Sequence, residues 1–157
     1  MSLDSIKTVG VIGAGQMGNG IAHVFAQSGF NVLMQDVQQA YVDKGLGTID
    51  KNLQRGVDKG KLSADEKLQV LSRVRGTTSV ADFSSADFVV EAIVENFEVK
   101  QKLFAELSKV TRPDVVLASN TSSLPITRLA SSTNRPERFI GMHFMNPVPV
   151  MQLVEII

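Results

Sequence analysis

His143 and Glu155 stand twelve residues apart near the end of the sequence, and Ser122 precedes them in "SNTSSLP" (Ser119–Pro125). Histidine titrates near neutrality and can give or take a proton there. Glu155 sits in the apolar run "LVEII" (Leu153–Ile157), where a lone carboxylate is costly unless paired. If the "NPVPVMQ" loop folds these strands together, Glu155 can hold one imidazole nitrogen of His143 and stabilise its cation. Ser122 can hydrogen-bond a substrate oxygen, or it or Ser123 can cap a helix starting near Pro125. The set suits general acid–base chemistry. A serine hydrolase is disfavoured, because the glycine-flanked nucleophile elbow is absent. The other histidine, His23, lies beside Val24 and Phe25 inside a helical pattern and reads as structural.

A second constellation opens the chain. "VGVIGAGQMGNGIA" holds Gly13, Gly15 and Gly18 in the order GxGxxG, after an apolar strand and at the start of a helix from Gln16 to about Gln27. Gly13 permits the tight turn, Gly15 lets backbone approach a pyrophosphate, and Gly18 lets helix pack on strand. Gly13, Gly15 and Gly18 thus form a phosphate cradle, with the helix dipole behind it. Asp36 ends the next strand, eighteen residues past Gly18. A carboxylate there accepts from ribose hydroxyls and repels a 2′-phosphate, so the expected cofactor is NAD rather than NADP. A nicotinamide cofactor needs a proton partner for hydride transfer, and His143 is the candidate.

The elements that must position these groups follow from periodicity. Apolar runs recur at Thr8–Ile12, Asn31–Gln35, Phe88–Ile93, Val115–Ser119, Phe139–Phe144 and Leu153–Ile157, with a weaker one at Val74–Ser79. Helical patterns separate most of them. The expectation is a doubly wound, Rossmann-type α/β fold with a mostly parallel sheet. One connection, Gln38–Arg73, is too long for a single crossover helix. Val42, Leu46, Ile49, Leu53 and Val57 mark one helix face, Gly60 can end it, and "SADE" (Ser63–Glu66) has capping-box spacing. A helical hairpin over residues 38–73 is therefore expected, inserted into one domain spanning residues 1–157. It either packs passively or leans over a ligand.

Composition bounds the function classes. Sixteen basic residues balance sixteen acidic ones, so no global field draws the chain to nucleic acid or an anionic membrane. The absence of cysteine excludes disulfides, thiolate metal sites and cysteine nucleophiles, and no metal site is expected. No apolar run has membrane-spanning length, and "MSLDSIK" is unlike a signal peptide. A cytoplasmic location is expected.

Four stretches, "GVIGAGQMGNGIA", "VVEAIVEN", "ASNTSSLPIT" and "GMHFMNPVPVMQLVEII", occur in order across nearly the whole chain. Together they resemble the 3-hydroxyacyl-CoA dehydrogenase family, particularly its bacterial 3-hydroxybutyryl-CoA branch. The resemblance implies NAD-dependent oxidation of a (3S)-3-hydroxyacyl-CoA, of short chain. It makes His143 the base, Glu155 its orienting partner and Ser122 a contact to both substrate and nicotinamide. It places Gly13, Ala14, Gly15, Gln16, Met17 and Gly18 around the pyrophosphate, adds Asp36, Glu95, Lys100 and Asn146 as cofactor contacts, and makes Asn52 and Lys59, on the hairpin, coenzyme A contacts. Family members continue into an all-helical domain that completes the pocket and makes a homodimer. That domain is absent here, so these residues alone are expected to bind NAD and turn over poorly. Rival readings are a related dehydrogenase of a free hydroxy or sugar acid, a non-catalytic or structural NAD-binding relative such as a lens crystallin, and an NAD-sensing module.

Overall fold

A computed structural model describes residues 2–157; Met1, the first residue of the expected domain, lies outside the described residues. The elements run β1 (Thr8–Ile12), α1 (Gln16–Gln27), β2 (Asn31–Gln35), α2 (Gln39–Asp58), α3 (Ala64–Ser72), β3 (Val74–Thr77), β4 (Phe88–Glu91), α4 (Phe97–Val110), β5 (Val116–Ser119), α5 (Ile126–Ala130), β6 (Phe139–Phe144) and β7 (Val154–Ile156). Short 3-10 turns precede β1, β4 and β6.

The seven strands form one sheet in the order β3-β2-β1-β4-β5-β6-β7. The first six run parallel, and β7 pairs antiparallel with β6. The chain works outward from β1 to β3, then returns to place β4 on the other side of β1. Strand order therefore switches between β1 and β4, where a doubly wound fold opens its ligand crevice.

Strand alternation divides the core between the two faces of the sheet. Val32 and Met34 of β2 join Ile21 and Ala22 of α1, Ile49 and Leu53 of α2 and Val70 of α3 in one buried cluster. Leu33 joins the other cluster with Phe104 and Leu107 of α4, Leu129 of α5 and Phe139 of β6. Val90 and Val89 of β4 divide the same way. Burial on both faces explains why these strands read as continuous apolar runs.

The inserted hairpin is α2 and α3. Gly60, at φ 71°, turns the chain beyond α2. The capping box closes α3: Ser63 Oγ accepts from the Glu66 N–H at 3.1 Å, and Glu66 Oε2 accepts from the Ser63 N–H at 2.7 Å. Four strands are shorter than their apolar runs: β3 ends at Thr77, and β7 covers only Val154–Ile156. β4 stops at Glu91, where the Ile93 N–H turns to the Glu91 carboxylate at 2.7 Å, and β5 starts at Val116. Among the described residues no helix is long and apolar enough to cross a membrane.

Candidate active site

The glycine loop joins β1 to α1 at the strand-order switch. Gly13 takes φ 102°, a left-handed conformation that side chains resist, and its N–H donates to the Gln35 carbonyl at 2.8 Å. A Cβ on Gly18 would collide with the Gly13 carbonyl, so α1 touches the loop backbone directly. At Gly15 the space is open, with nothing within 4 Å of an added Cβ. The first turn of α1, whose N–H groups lack intrahelical acceptors, points its positive end into that opening. Asp36 Oδ2 accepts from the Ala14 N–H at 2.9 Å and Oδ1 from the Val37 N–H at 2.7 Å. The carboxylate that ends β2 thus also shapes the loop.

A cavity of about 830 Å³ runs over this loop, large enough for an extended dinucleotide. The helix α2 forms its side wall. Gly45 brings that helix close, since a Cβ there would sit 2.8 Å from the Ala14 carbonyl oxygen. Tyr41, Lys44, Thr48 and Asn52, spaced three or four residues apart, face the cavity. Lys59 is the C-cap of α2 and lines neither this cavity nor the next.

The His143–Glu155 pair is set by strand register. His143 and Glu155 are direct partners in the β6–β7 ladder. Nδ1 of His143 lies 2.9 Å from Glu155 Oε2. A carboxylate there favours a proton on Nδ1 and leaves the Nε2 lone pair free to accept one. The connecting loop carries a cis Asn146–Pro147 bond. Val148, buried, sits against Gly20 of α1, where a Cβ would lie 2.9 Å from the valine Cβ. Gln16 Nε2 donates to Asn146 Oδ1 at 3.3 Å. The loop is therefore seated on the first turns of α1.

A second cavity, of about 300 Å³, has His143, Ser122, Asn146, Glu95, Lys100 and Met17 among its lining residues. Ala92, Ile93 and Asn146 line both cavities, so the space over the glycine loop adjoins the space at His143. Ser122 does not cap α5. The N-cap is Pro125, with no side-chain cap, and neither Ser122 nor Ser123 takes that part. The turn is instead organised by Thr121, whose Oγ1 accepts from the Leu124 N–H at 3.0 Å and donates to Glu95 Oε1 at 2.6 Å.

Lys100 differs from an exposed cofactor contact. It is 1% exposed, and its ammonium lies 2.6 Å from Glu91 Oε1 and 3.5 Å from Glu95 Oε1. Sequence reasoning missed Glu91, Asn120 and Thr121. Asn120 Oδ1 accepts from the Phe144 N–H at 2.8 Å, tying the turn after β5 to the residue beside His143. Also missed were Val37, Tyr41, Val94 and Val99, exposed apolar side chains along the larger cavity. The positions of Val37 and Val94 just after β2 and β4, on the crevice side of the sheet, were the available signal.

His23 behaves differently from His143. It is buried in α1, with Nε2 3.1 Å from Gln27 Oε1. Burial holds its pKa below the ordinary 6.5, with the Gln27 hydrogen bond opposing in part. The unfolded chain then binds the proton more readily, so stability falls as pH drops from 6.5 toward the lowered folded value. In His23→Leu the melting temperature should decline less between pH 7.5 and 5.5 than in the parent. Parallel melting-temperature profiles would refute this. Among the described residues no cluster of three His, Cys, Asp or Glu could hold a metal ion.

Residues 8–157 match the family model described as "3-hydroxyacyl-CoA dehydrogenase, NAD binding domain". A Deinococcus radiodurans protein named "Probable 3-hydroxybutyryl-CoA dehydrogenase" is 57% identical over 148 residues, covering 94% of this chain and 53% of that protein. The 3-hydroxybutyryl-CoA dehydrogenase of Bradyrhizobium diazoefficiens is 53% identical, covering 97% of this chain and 52% of its own length. The crystal structure of (S)-3-hydroxybutyryl-CoA dehydrogenase PaaH1 from Ralstonia eutropha superposes with a TM-score of 0.95 at 49% identity, over 97% of this chain and 54% of that one. The chain spans about half the length of these relatives. The open space at Gly15, the Asp36 carboxylate and the α1 terminus fit the NAD that the family's domain binds. With the glycine loop, the His143–Glu155 pair and the sequence match all falling within residues 8–157, the chain belongs to the 3-hydroxyacyl-CoA dehydrogenase family.

Proposed function

We propose that this chain is the cofactor half of an NAD-dependent (3S)-3-hydroxyacyl-CoA dehydrogenase acting on short acyl chains such as 3-hydroxybutyryl-CoA. The observation that carries this is the His143–Glu155 contact of 2.9 Å, on a cavity that adjoins the glycine loop. Bound NAD supplies a hydride acceptor for C3 of the substrate, and NADH a donor for the reverse. His143 Nε2 takes the proton of the 3-hydroxyl as the carbonyl forms. In reduction the imidazolium returns that proton to the developing alkoxide. Glu155 keeps Nδ1 protonated and stabilises the cation. Ser122 donates to the reacting oxygen, and Glu95 and Asn146 contact the nicotinamide side. Asn52 and Lys59 serve the coenzyme A portion, Asn52 from α2 at the cavity wall and Lys59 from the residue that caps that helix.

The proposal extends to a cytoplasmic enzyme of fatty-acid or butanoate metabolism. A helical companion domain would cover the exposed Val150, Met151, Leu153, Ile156 and Ile157 and carry a homodimer contact. The 157-residue chain by itself should bind NAD and turn over slowly. The decisive assay offers the catalytically competent protein acetoacetyl-CoA and free acetoacetate with NADH. Oxidation of NADH by the thioester alone is expected; equal rates with the free acid would overturn the coenzyme A assignment.

Asp36 sets cofactor choice. Asp36→Ala removes an acceptor for ribose hydroxyls and a repulsive charge against a 2′-phosphate, so NAD affinity should fall and NADP affinity fall far less. Because Asp36 also holds the Ala14 N–H, some loss should be common to both cofactors. Calorimetry showing equal losses for the two would remove the discriminating role.

A further inference from the structure

The carboxylate of Glu91 has three hydrogen-bond partners beneath the groove, yet it lines neither cavity. It ends β4 and is 0% exposed. Oε1 accepts from Lys100 Nζ at 2.6 Å and from the Ile93 N–H at 2.7 Å. Oε2 accepts from Ser119 Oγ, at the end of β5, at 2.6 Å. One carboxylate thus ties together the ends of two strands and the first turn of α4.

A buried ion pair is weak as a stabiliser. Desolvation of two charges offsets most of their attraction, and apolar pairs of similar size often serve the fold as well. Stability alone therefore does not account for this pair. Its location does. Lys100 lines the smaller cavity, and its ammonium lies 3.5 Å from Glu95, a second lining residue. Glu95 in turn accepts from Thr121, the neighbour of Ser122. Lysine carries three N–H donors and Glu91 occupies one at short range, which leaves donors for Glu95 and for a ligand oxygen.

We propose that Glu91 is a positioning residue for the nicotinamide end of the cofactor. It holds the Lys100 ammonium at the cavity wall and, through it, orients Glu95. This rests on NAD occupying the groove with its nicotinamide toward His143. ADP, which lacks the nicotinamide riboside, should be indifferent to Glu91.

The test compares NADH and ADP affinities with melting temperature in Glu91→Gln and in the double variant Glu91→Leu/Lys100→Met. Glu91→Gln strands a buried cation and should lower both melting temperature and NADH affinity. The double variant removes both charges and should recover most of the melting temperature. Its NADH Kd should stay raised about tenfold, the effect of losing one charge-assisted hydrogen bond, while its ADP Kd holds within about twofold. A double variant that binds NADH like the parent, or that loses NADH and ADP equally, would overturn the proposal. If the double variant does not fold, Ser119→Ala decides. It removes only the hydroxyl donated to Oε2, and an unchanged ratio of NADH to ADP affinity there would overturn the proposal as well. Failure of the parent chain to bind NADH at all would instead strike the cofactor reading on which this rests.

Discussion

Replacing His143 with glutamine should lower turnover about 10²–10⁴-fold, the usual cost of losing a general base, while NAD affinity stays near the parent value. Glutamine approximates the size of imidazole and can still donate toward Glu155, so the β6–β7 ladder should persist. What it lacks is a nitrogen that takes and returns a proton. The split is the informative part. His143 borders the smaller cavity, whereas the glycine loop and Asp36 line the larger one, so removing the base leaves the dinucleotide cradle intact. Steady-state rates with acetoacetyl-CoA on the competent protein, beside NADH binding by fluorescence, measure both quantities. A rate within tenfold of the parent would assign the proton step to another group. Glu155→Gln should have a smaller effect than His143→Gln, because Glu155 is half exposed and water can partly replace it at Nδ1.

A methyl group at Gly18 should cost fold and cofactor site together. The added Cβ would overlap both the carbonyl oxygen and the carbonyl carbon of Gly13, and backbone atoms cannot rotate out of the way as a side chain can. The helix α1 would have to lift from the loop. Overpacking of this kind costs about 1–3 kcal/mol or more, against a total stability of about 5–15 kcal/mol for a domain. At this chain length each kcal/mol corresponds to about 2–4 °C in melting temperature. Gly15→Ala is the matched control. Its Cβ meets nothing within 4 Å, so the melting temperature of the free chain should hold, while the methyl intrudes on the space a pyrophosphate needs. Thermal melts with and without NAD separate the two. Gly18→Ala should melt several degrees lower in both conditions. Gly15→Ala should lose only the shift that NAD produces. Equal behaviour of the two variants would mean that the loop is not packed as described.

Much of the molecule follows from short-range pattern. The helix α1 spans Gln16–Gln27 and β6 spans Phe139–Phe144, as their sequences indicate. The Ser63–Glu66 capping box and the Gly60 turn are encoded within four residues of chain, so nothing distant can displace them. The glycine fingerprint is equally local, because a strand, a turn and a helix start are all it requires.

The burial of Lys100 was not legible. A lysine in the first turn of a helix usually faces water, and whether it does depends on what packs over it. Here β4 and β5 end around it and supply Glu91, so the side chain is almost wholly covered. For the same reason Glu91 and Thr121 passed as ordinary strand and turn residues, and Lys59 gave no sign of lying outside both cavities.

By itself the sequence determined the α/β rhythm, the helical insertion, the phosphate loop and the residue types available for proton transfer. Tertiary structure alone decided which of those residues meet. His143 and Glu155 became neighbours through an antiparallel register, which the seating of Val148 against Gly20 and the ladder hydrogen bonds fix together. A shift of one residue would send Glu155 to the opposite face of the sheet. Periodicity reports which face of an element is apolar. Register and burial depend on contacts between segments far apart in the chain, and no local pattern carries them.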